Sequence, residues 1–228
     1  RKVYRNYQMR VRKELDEMMK EQGVAASSLH ILQAFTKLRQ ICNSPRLLAD
    51  DLQDQHLVDG VKMNVLLEQL EALVNEGHKV LVFSFFTSML KLVEEKLNAK
   101  SISHVKITGD TVDRKGKVDS FQEDESIKVF LISLKAGGTG LNLTAADYVY
   151  IIDPWWNPAV EQQAIDRTHR IGQTKQIFAY KLICKDSIEE KMLQLQEQKK
   201  SLVTELISGD QGWMKKLTRE DVMELLNA

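Results

Sequence analysis

Residues Lys128 to Asp153, KVFLISLKAGGTGLNLTAADYVYIID, decide how this chain folds. The apolar, β-branched runs 128–133 and 148–153 read as strands buried on both faces, since a strand covered by helices on each side has no solvent face to alternate toward. Between them lies a glycine-rich loop. Gly137, Gly138 and Gly140 open backbone conformations closed to other residues and let phosphates approach the main-chain amides, while Thr139 adds a hydroxyl donor. Many strand-to-helix turns in parallel sheets carry glycines for purely geometric reasons, so AGGTG by itself fixes no ligand.

Outward from this stretch, strands are predicted near 80–84, 104–107 and 176–183 as well, alternating with helical segments from residue 79 onward. That rhythm predicts an α/β fold, a parallel sheet with helices on both faces. The first 48 residues read as a helical hairpin broken near Gly23, with Ser27 or Ser28 as the N-cap of its second arm. Residues 49–60, ADDLQDQHLVDG, are acidic and aperiodic and read as a loop, before the helical pattern MNVLLEQLEALVNEG. After Asp186, taken as an N-cap, SIEEKMLQLQEQKKSLVTELI reads as a long helix and TREDVMELL as a short final one. The expected organisation is 1–60 as a helical protrusion and linker, 61–185 as the sheet domain, and 186–228 as terminal helices.

Downstream of the second strand comes QAIDRTHRIGQ, residues 163–173. At about 100° per residue, Gln163, Arg167 and Arg170 fall within an arc of roughly 60°, beside Val160, Ala164 and Ile171. One edge of such a helix anchors to a core; the other presents two guanidinium groups. Paired arginines make a bidentate, permanently charged clamp for an oxyanion such as a phosphate. A solvated helix face would look the same in isolation.

Composition sets limits. The 228 residues are 43% apolar and 28% charged, ordinary for a globular chain with a sizeable core. Thirty-two basic against thirty-two acidic residues give zero formal charge, so bulk electrostatics do not favour nucleic acid and any such site must be a local patch. Cys42, Cys184 and the lone His30, His56, His78 and His104 lack metal-ligand spacing, so no metal site is expected. Two cysteines make no disulfide framework and suggest a reducing compartment, and with no run of about 18 apolar residues and no secretory signal an intracellular protein is expected. The basic start, Arg1, Lys2, Arg5, Arg10, Arg12 and Lys13, fits either a solvated amphipathic helix or a DNA-facing protrusion. The chain opens on Arg1 within a helical pattern, which suggests a fragment of something longer.

SLKAGGTGLNLTAADYVYIIDPWWNP followed by QAIDRTHRIGQ resembles motifs five and six of the Swi/Snf family of superfamily-two ATP-dependent DNA translocases. LRQICNSPRLL (38–48), KVLVFSFFTSMLKLVEEKL (79–97), KITGDT (106–111) and VDSFQED (118–124) agree with it in order. The resemblance runs from about residue 1 to about residue 206. It implies the second, RecA-like lobe of a two-lobe motor, with 186–228 supplying bracing helices. It further implies Arg167 and Arg170 as catalytic arginine fingers on ATP, with Gln163 and Gly140 at the ATP interface. Thr108, Gly109, Arg114, Ser133, Lys135, Gly138, Thr139 and Trp156 would contact one DNA strand through its phosphates. Trp156 falls on the family position that touches DNA, while Trp155 replaces the commoner polar residue there. The implied partners are double-stranded DNA, the N-terminal lobe of the same protein and a DNA-bound protein complex. The compartment would be the cytoplasm or nucleoid of a bacterium, or the nucleus of a eukaryote.

A self-sufficient P-loop motor needs GxxxxGK[ST] and an acidic strand end for magnesium. Neither occurs in this sequence, so ATP with magnesium is expected to bind mainly to a partner lobe and the chain alone to be inactive. A degenerate lobe that only binds DNA or protein is the alternative. An unrelated dinucleotide enzyme is disfavoured, because this chain has no GxGxxG after its first strand and no acidic residue at the expected distance.

Overall fold

The computed structural model describes residues 1–49, 56–136, 141–154, 158–166, 175–198 and 217–227. They divide into two compact units. The first contains Arg1–Gly60 and Cys184–Ala228, and the second Val61–Pro154 and Pro158–Ile183.

The second unit is built on a five-stranded sheet: β1 (Val80–Ser84), β2 (His104–Ile107), β3 (Val129–Ser133), β4 (Tyr148–Ile151) and β5 (Phe178–Lys181). The order is β2-β3-β1-β4-β5, and every neighbouring pair is parallel. Parallel neighbours cannot be joined by hairpins, so each connection crosses over, most of them through a helix. The crossover helices are α3 (Thr87–Ala99), α4 (Arg114–Glu123) and α5 (Pro158–Ile165); α2 (Val61–Asn75) leads into β1, and α1 (Lys2–Asn43) precedes it in the first unit. Odd and even strand positions face opposite ways. Leu81, Phe83, Phe130, Ile132, Val149 and Ile151 therefore share one face, packed with Phe121 of α4 and Ala164 of α5. The opposite face carries Val80, Val82, Val129 and Leu131, all inaccessible, and is covered by α2 and α3. On the β4–β5 side this face bears an aromatic column, with Tyr150 and Tyr180 centroids 5.3 Å apart and Tyr148 and Phe178 5.0 Å apart. Burial pushes the Tyr150 phenol up to about 12.

In the first unit α1 packs with α6 (Ile188–Gln198) and α7 (Arg219–Leu225). Tyr4 Oη accepts from Ile188 N at 2.7 Å, and Gln8 Nε2 donates to Leu226 O at 3.1 Å. Gly23, at φ 82 and ψ 166, interrupts α1 where the sequence predicted a break. That conformation suits a residue without Cβ. The predicted N-cap at Ser27 or Ser28 is corrected: Gly23 absorbs the break alone, helix resumes at once, and Ser27 Oγ donates to Gly23 O at 2.8 Å from inside it. The cap placed at Asp186 is also corrected. Asp186 has φ 53, incompatible with the extended conformation of an N-cap, and Ser187 Oγ accepts instead from Glu189 N at 3.2 Å. Thr218 and Asp221 form a capping box on α7.

Asp16 of α1 holds α7 through Arg219 Nε at 3.1 Å and is also paired with Lys20 at 2.7 Å. The Lys20 hydrogen bond, then that of Arg219, holds the Asp16 carboxyl below its ordinary value. A depressed carboxylate contributes stability that is present above the unfolded pKa and lost as pH falls through the folded one. The protection factors of the α7 amides, which divide out the intrinsic pH dependence of exchange, should therefore fall as pH drops below about 4, the ordinary aspartate value. Asp16→Asn should exchange faster at neutral pH and lose that acid-side change; an unaltered profile would contradict the link.

No described helix is long and apolar enough to cross a membrane.

Candidate functional site at the carboxyl edge of the sheet

Because all five strands run the same way, the loops after β1, β2, β3 and β4 leave from one edge. β1 is the point where chain order reverses, since β3 lies on one side of it and β4 on the other. Open parallel sheets bind ligands at this crevice.

Asp153 organises the centre. It is fully buried. Its carboxylate accepts from Ser84 Oγ at 2.7 Å and from Phe85 N at 2.9 Å, which ties the end of β1 to the segment following β4. Ser84 Oγ also accepts from Phe86 N at 3.0 Å. Lys62 Nζ, buried on α2, donates to Ile152 O at 2.8 Å. A charged group out of water must be compensated this way. Asp153, with both oxygens engaged, is not offered to a metal, and the described residues at the ends of β1, β3 and β4 do not fit a magnesium site.

Beside it, Thr108 and Gly109 follow β2. Thr108 N donates to Thr111 Oγ1 at 2.9 Å and Thr111 N returns to Thr108 O at 3.2 Å, closing a tight turn. A Cβ on Gly109 would meet nothing within 4 Å, so that backbone faces open space. Arg114 opens α4, capped by Asp113, whose carboxylate accepts from Gly116 N at 2.8 Å. The guanidinium spans two loops: Nη1 donates to Ala136 O at 3.2 Å, Nη2 to Gly109 O at 3.3 Å and Nε to Thr111 O at 3.4 Å. Arg114 thus braces the loops after β2 and β3, with part of its fork of five N–H donors left over. Ser133 pairs with Ser84 in register and is 1% exposed, whereas Lys135 is exposed.

Thr108, Gly109, Arg114, Ser133 and Lys135 are therefore brought together along one edge. Gln163 is exposed on α5, whereas Glu161, two residues earlier on the same helix, is buried and its carboxylate pairs with Lys181 at 2.5 Å. Gly138, Thr139, Gly140, Trp155, Trp156, Arg167 and Arg170 lie outside the described residues. Sequence reasoning missed the Asp153 and Lys62 contacts. The available signal was a charged residue directly ending a fully apolar strand, which cannot stay unpaired. His78 is engaged structurally, with Nδ1 2.7 Å from Asp147 Oδ2.

In the first unit, donor atoms of Cys42, Cys184 and Glu189 lie within 4.8 Å of one another, although the two cysteines are far apart in sequence. They already serve the backbone: Glu189 Oε2 accepts from Cys184 N at 2.9 Å, and Cys184 Sγ donates to Cys42 O at 3.4 Å.

A five-stranded parallel sheet with this order, covered by helices, is a RecA-like fold. The family described as "Helicase conserved C-terminal domain" matches residues 61–172. The human "Chromatin-remodeling ATPase INO80" is 41% identical over 172 residues, covering 75% of this chain and 11% of that protein. The "ISWI chromatin-remodeling complex ATPase ISW1" of Saccharomyces cerevisiae is 36% identical over 221 residues, 92% of this chain and 20% of the other. Among solved structures, "Sulfolobus solfataricus SWI2/SNF2 ATPase core in complex with dsDNA" superposes with a TM-score of 0.75 at 29% identity, covering 96% of this chain and 47% of that one. The chain belongs to the Swi/Snf family. It spans about a tenth to a fifth of the length of these two curated relatives.

Proposed function

We propose that this chain is the C-terminal motor lobe of an ATP-dependent translocase of double-stranded DNA. Arg167 and Arg170 reach across a cleft to the γ-phosphate of an ATP held, with its magnesium, by the N-terminal RecA-like lobe of the same protein. Gln163 and Gly140 border that interface. Thr108, Gly109, Arg114, Lys135, Gly138, Thr139 and Trp156 hold one DNA strand by its backbone, giving sequence-tolerant, salt-sensitive binding, while Ser133, buried beside Ser84, sets where the loop that carries Lys135 leaves β3. Lobe closure brings the arginines to ATP only when duplex is seated, so hydrolysis follows movement.

The observation that carries this reading is the switch-point edge, where the loops after β2 and β3, tied together by Arg114, present Lys135 and the open Gly109 on one side of the sheet. The Asp153 clamp supports the division of labour, because the acidic residue after β4 already accepts from Ser84 Oγ and Phe85 N with its two carboxylate oxygens. The solved Sulfolobus solfataricus SWI2/SNF2 ATPase core, which is in complex with dsDNA, adds support for the ligand.

The test is ATP turnover measured with and without duplex, in the intact protein and in the 228-residue chain. Duplex should stimulate the intact protein by tenfold or more and leave the chain without detectable turnover. Stimulated hydrolysis by the chain alone would overturn the two-lobe assignment. An intact protein indifferent to DNA would overturn the translocase.

A further inference from the structure

The first unit carries a feature that the motor site does not use. At about 100° per residue, Arg12, Arg5, Met9, Lys2 and Lys13 fall within an arc of roughly 100° on α1. All five are exposed, Met9 by 64%. The buried residues Tyr4, Tyr7, Val11 and Leu15 occupy the opposite side. The acidic Glu14, Glu17 and Glu21 lie on a separate flank, where Arg10 faces Glu14 at 3.9 Å and its guanidinium sits 5.1 Å over the Tyr7 ring. Within the basic arc the one carboxylate is Asp16, answered by Lys20 and Arg219. Among the described residues Lys2, Arg5, Arg12 and Lys13 have no acidic partner.

We infer that this stripe is a second phosphate-binding surface for duplex DNA, separate from the carboxyl edge of the sheet. The inference rests on the translocase reading above. In a chain with no net charge, four unpaired cations segregated on one helix face are a local field rather than a bulk one. From Lys2 to Lys13 the stripe runs about 16 Å, at 1.5 Å per residue, the axial length of roughly four to five phosphates of one strand. A rigid helix holds these charges at fixed spacing without reading base sequence. A membrane surface fits poorly: a helix lying in the bilayer interface needs a free apolar face, and that of α1 is buried in the first unit.

The experiment uses the intact protein, a fluorescein-labelled duplex of unrelated sequences and a series of NaCl concentrations. A variant carrying Lys2→Gln, Arg5→Gln, Arg12→Gln and Lys13→Gln should flatten the slope of log Kd against log salt by up to about 3.6, at 0.9 per neutralised phosphate contact. The duplex concentration for half-maximal ATP turnover should rise at least tenfold while kcat at saturating duplex stays unchanged. The charge-conserving exchange Lys2→Arg, Arg5→Lys, Arg12→Lys and Lys13→Arg should keep the wild-type slope. A wild-type slope in the neutralised variant overturns this inference alone and leaves the stripe a solvated face or a site for acidic protein. Failure of the wild-type protein to bind duplex overturns the translocase reading as well.

Discussion

Alanine at Arg167 in the intact protein should lower duplex-stimulated ATP turnover by about 10³-fold or more, and alanine at Arg170 should do the same. Arginine fingers in nucleotide-hydrolysing motors are worth roughly 10³ to 10⁵ in rate, because they neutralise charge that builds on the transferring phosphoryl group. A lysine at either position keeps the charge and loses the planar fork, so partial recovery at most is expected. The loss should appear in kcat, with ATP and duplex affinities changed far less, since the contact is made chiefly in the transition state. Thermal unfolding of either variant should match wild type. Two alanine variants with wild-type turnover would remove both residues from the mechanism. The double variant should be little worse than either single one if the pair acts as a unit.

The second large effect is on stability. Asp153→Ala should weaken the sheet unit by about 3 kcal/mol, because the hydrogen bonds from Ser84 Oγ and Phe85 N to a buried carboxylate are lost together and Phe85 N loses its acceptor. Asp153→Asn retains an acceptor oxygen and should cost less than half as much. Amide exchange of β1 and β4 in the intact protein reads this directly. A loss of about 3 kcal/mol corresponds to roughly 150-fold faster exchange through global opening of that unit, at 1.4 kcal/mol per tenfold. Unchanged protection in the alanine variant would mean that the segment after β4 is held by something else. The same variant should also impair duplex-stimulated turnover, since Asp153 fixes where the chain leaves β4 for the DPWW segment.

The sheet was legible because its determinants are local. Val80 to Ser84 and Val129 to Ser133 are continuous apolar runs, and such runs stay buried wherever the chain puts them. The parallel arrangement followed from the helical segments between them. The break at Gly23 was legible for the same reason, as was the final helix, whose capping box is written in the four residues Thr218 to Asp221. The caps at Ser27 and Asp186 were misread because a cap depends on backbone angles. Gly23 takes the whole interruption on itself, and Asp186 turns left-handed, which hands its role to Ser187.

By itself the sequence determined the α/β rhythm, the residue types at the strand ends and the paired arginines of the 163–173 segment. Tertiary structure alone decided that the termini of the chain, Arg1–Gly60 and Cys184–Ala228, share one unit. It alone brought the Arg114 guanidinium to Ala136, 22 positions on, and joined Asp153 to Ser84 across 69 residues. Local pattern records what each segment buries. Which partner satisfies a buried charge is settled only when distant segments meet, because the desolvation cost of that charge exists only in the folded interior.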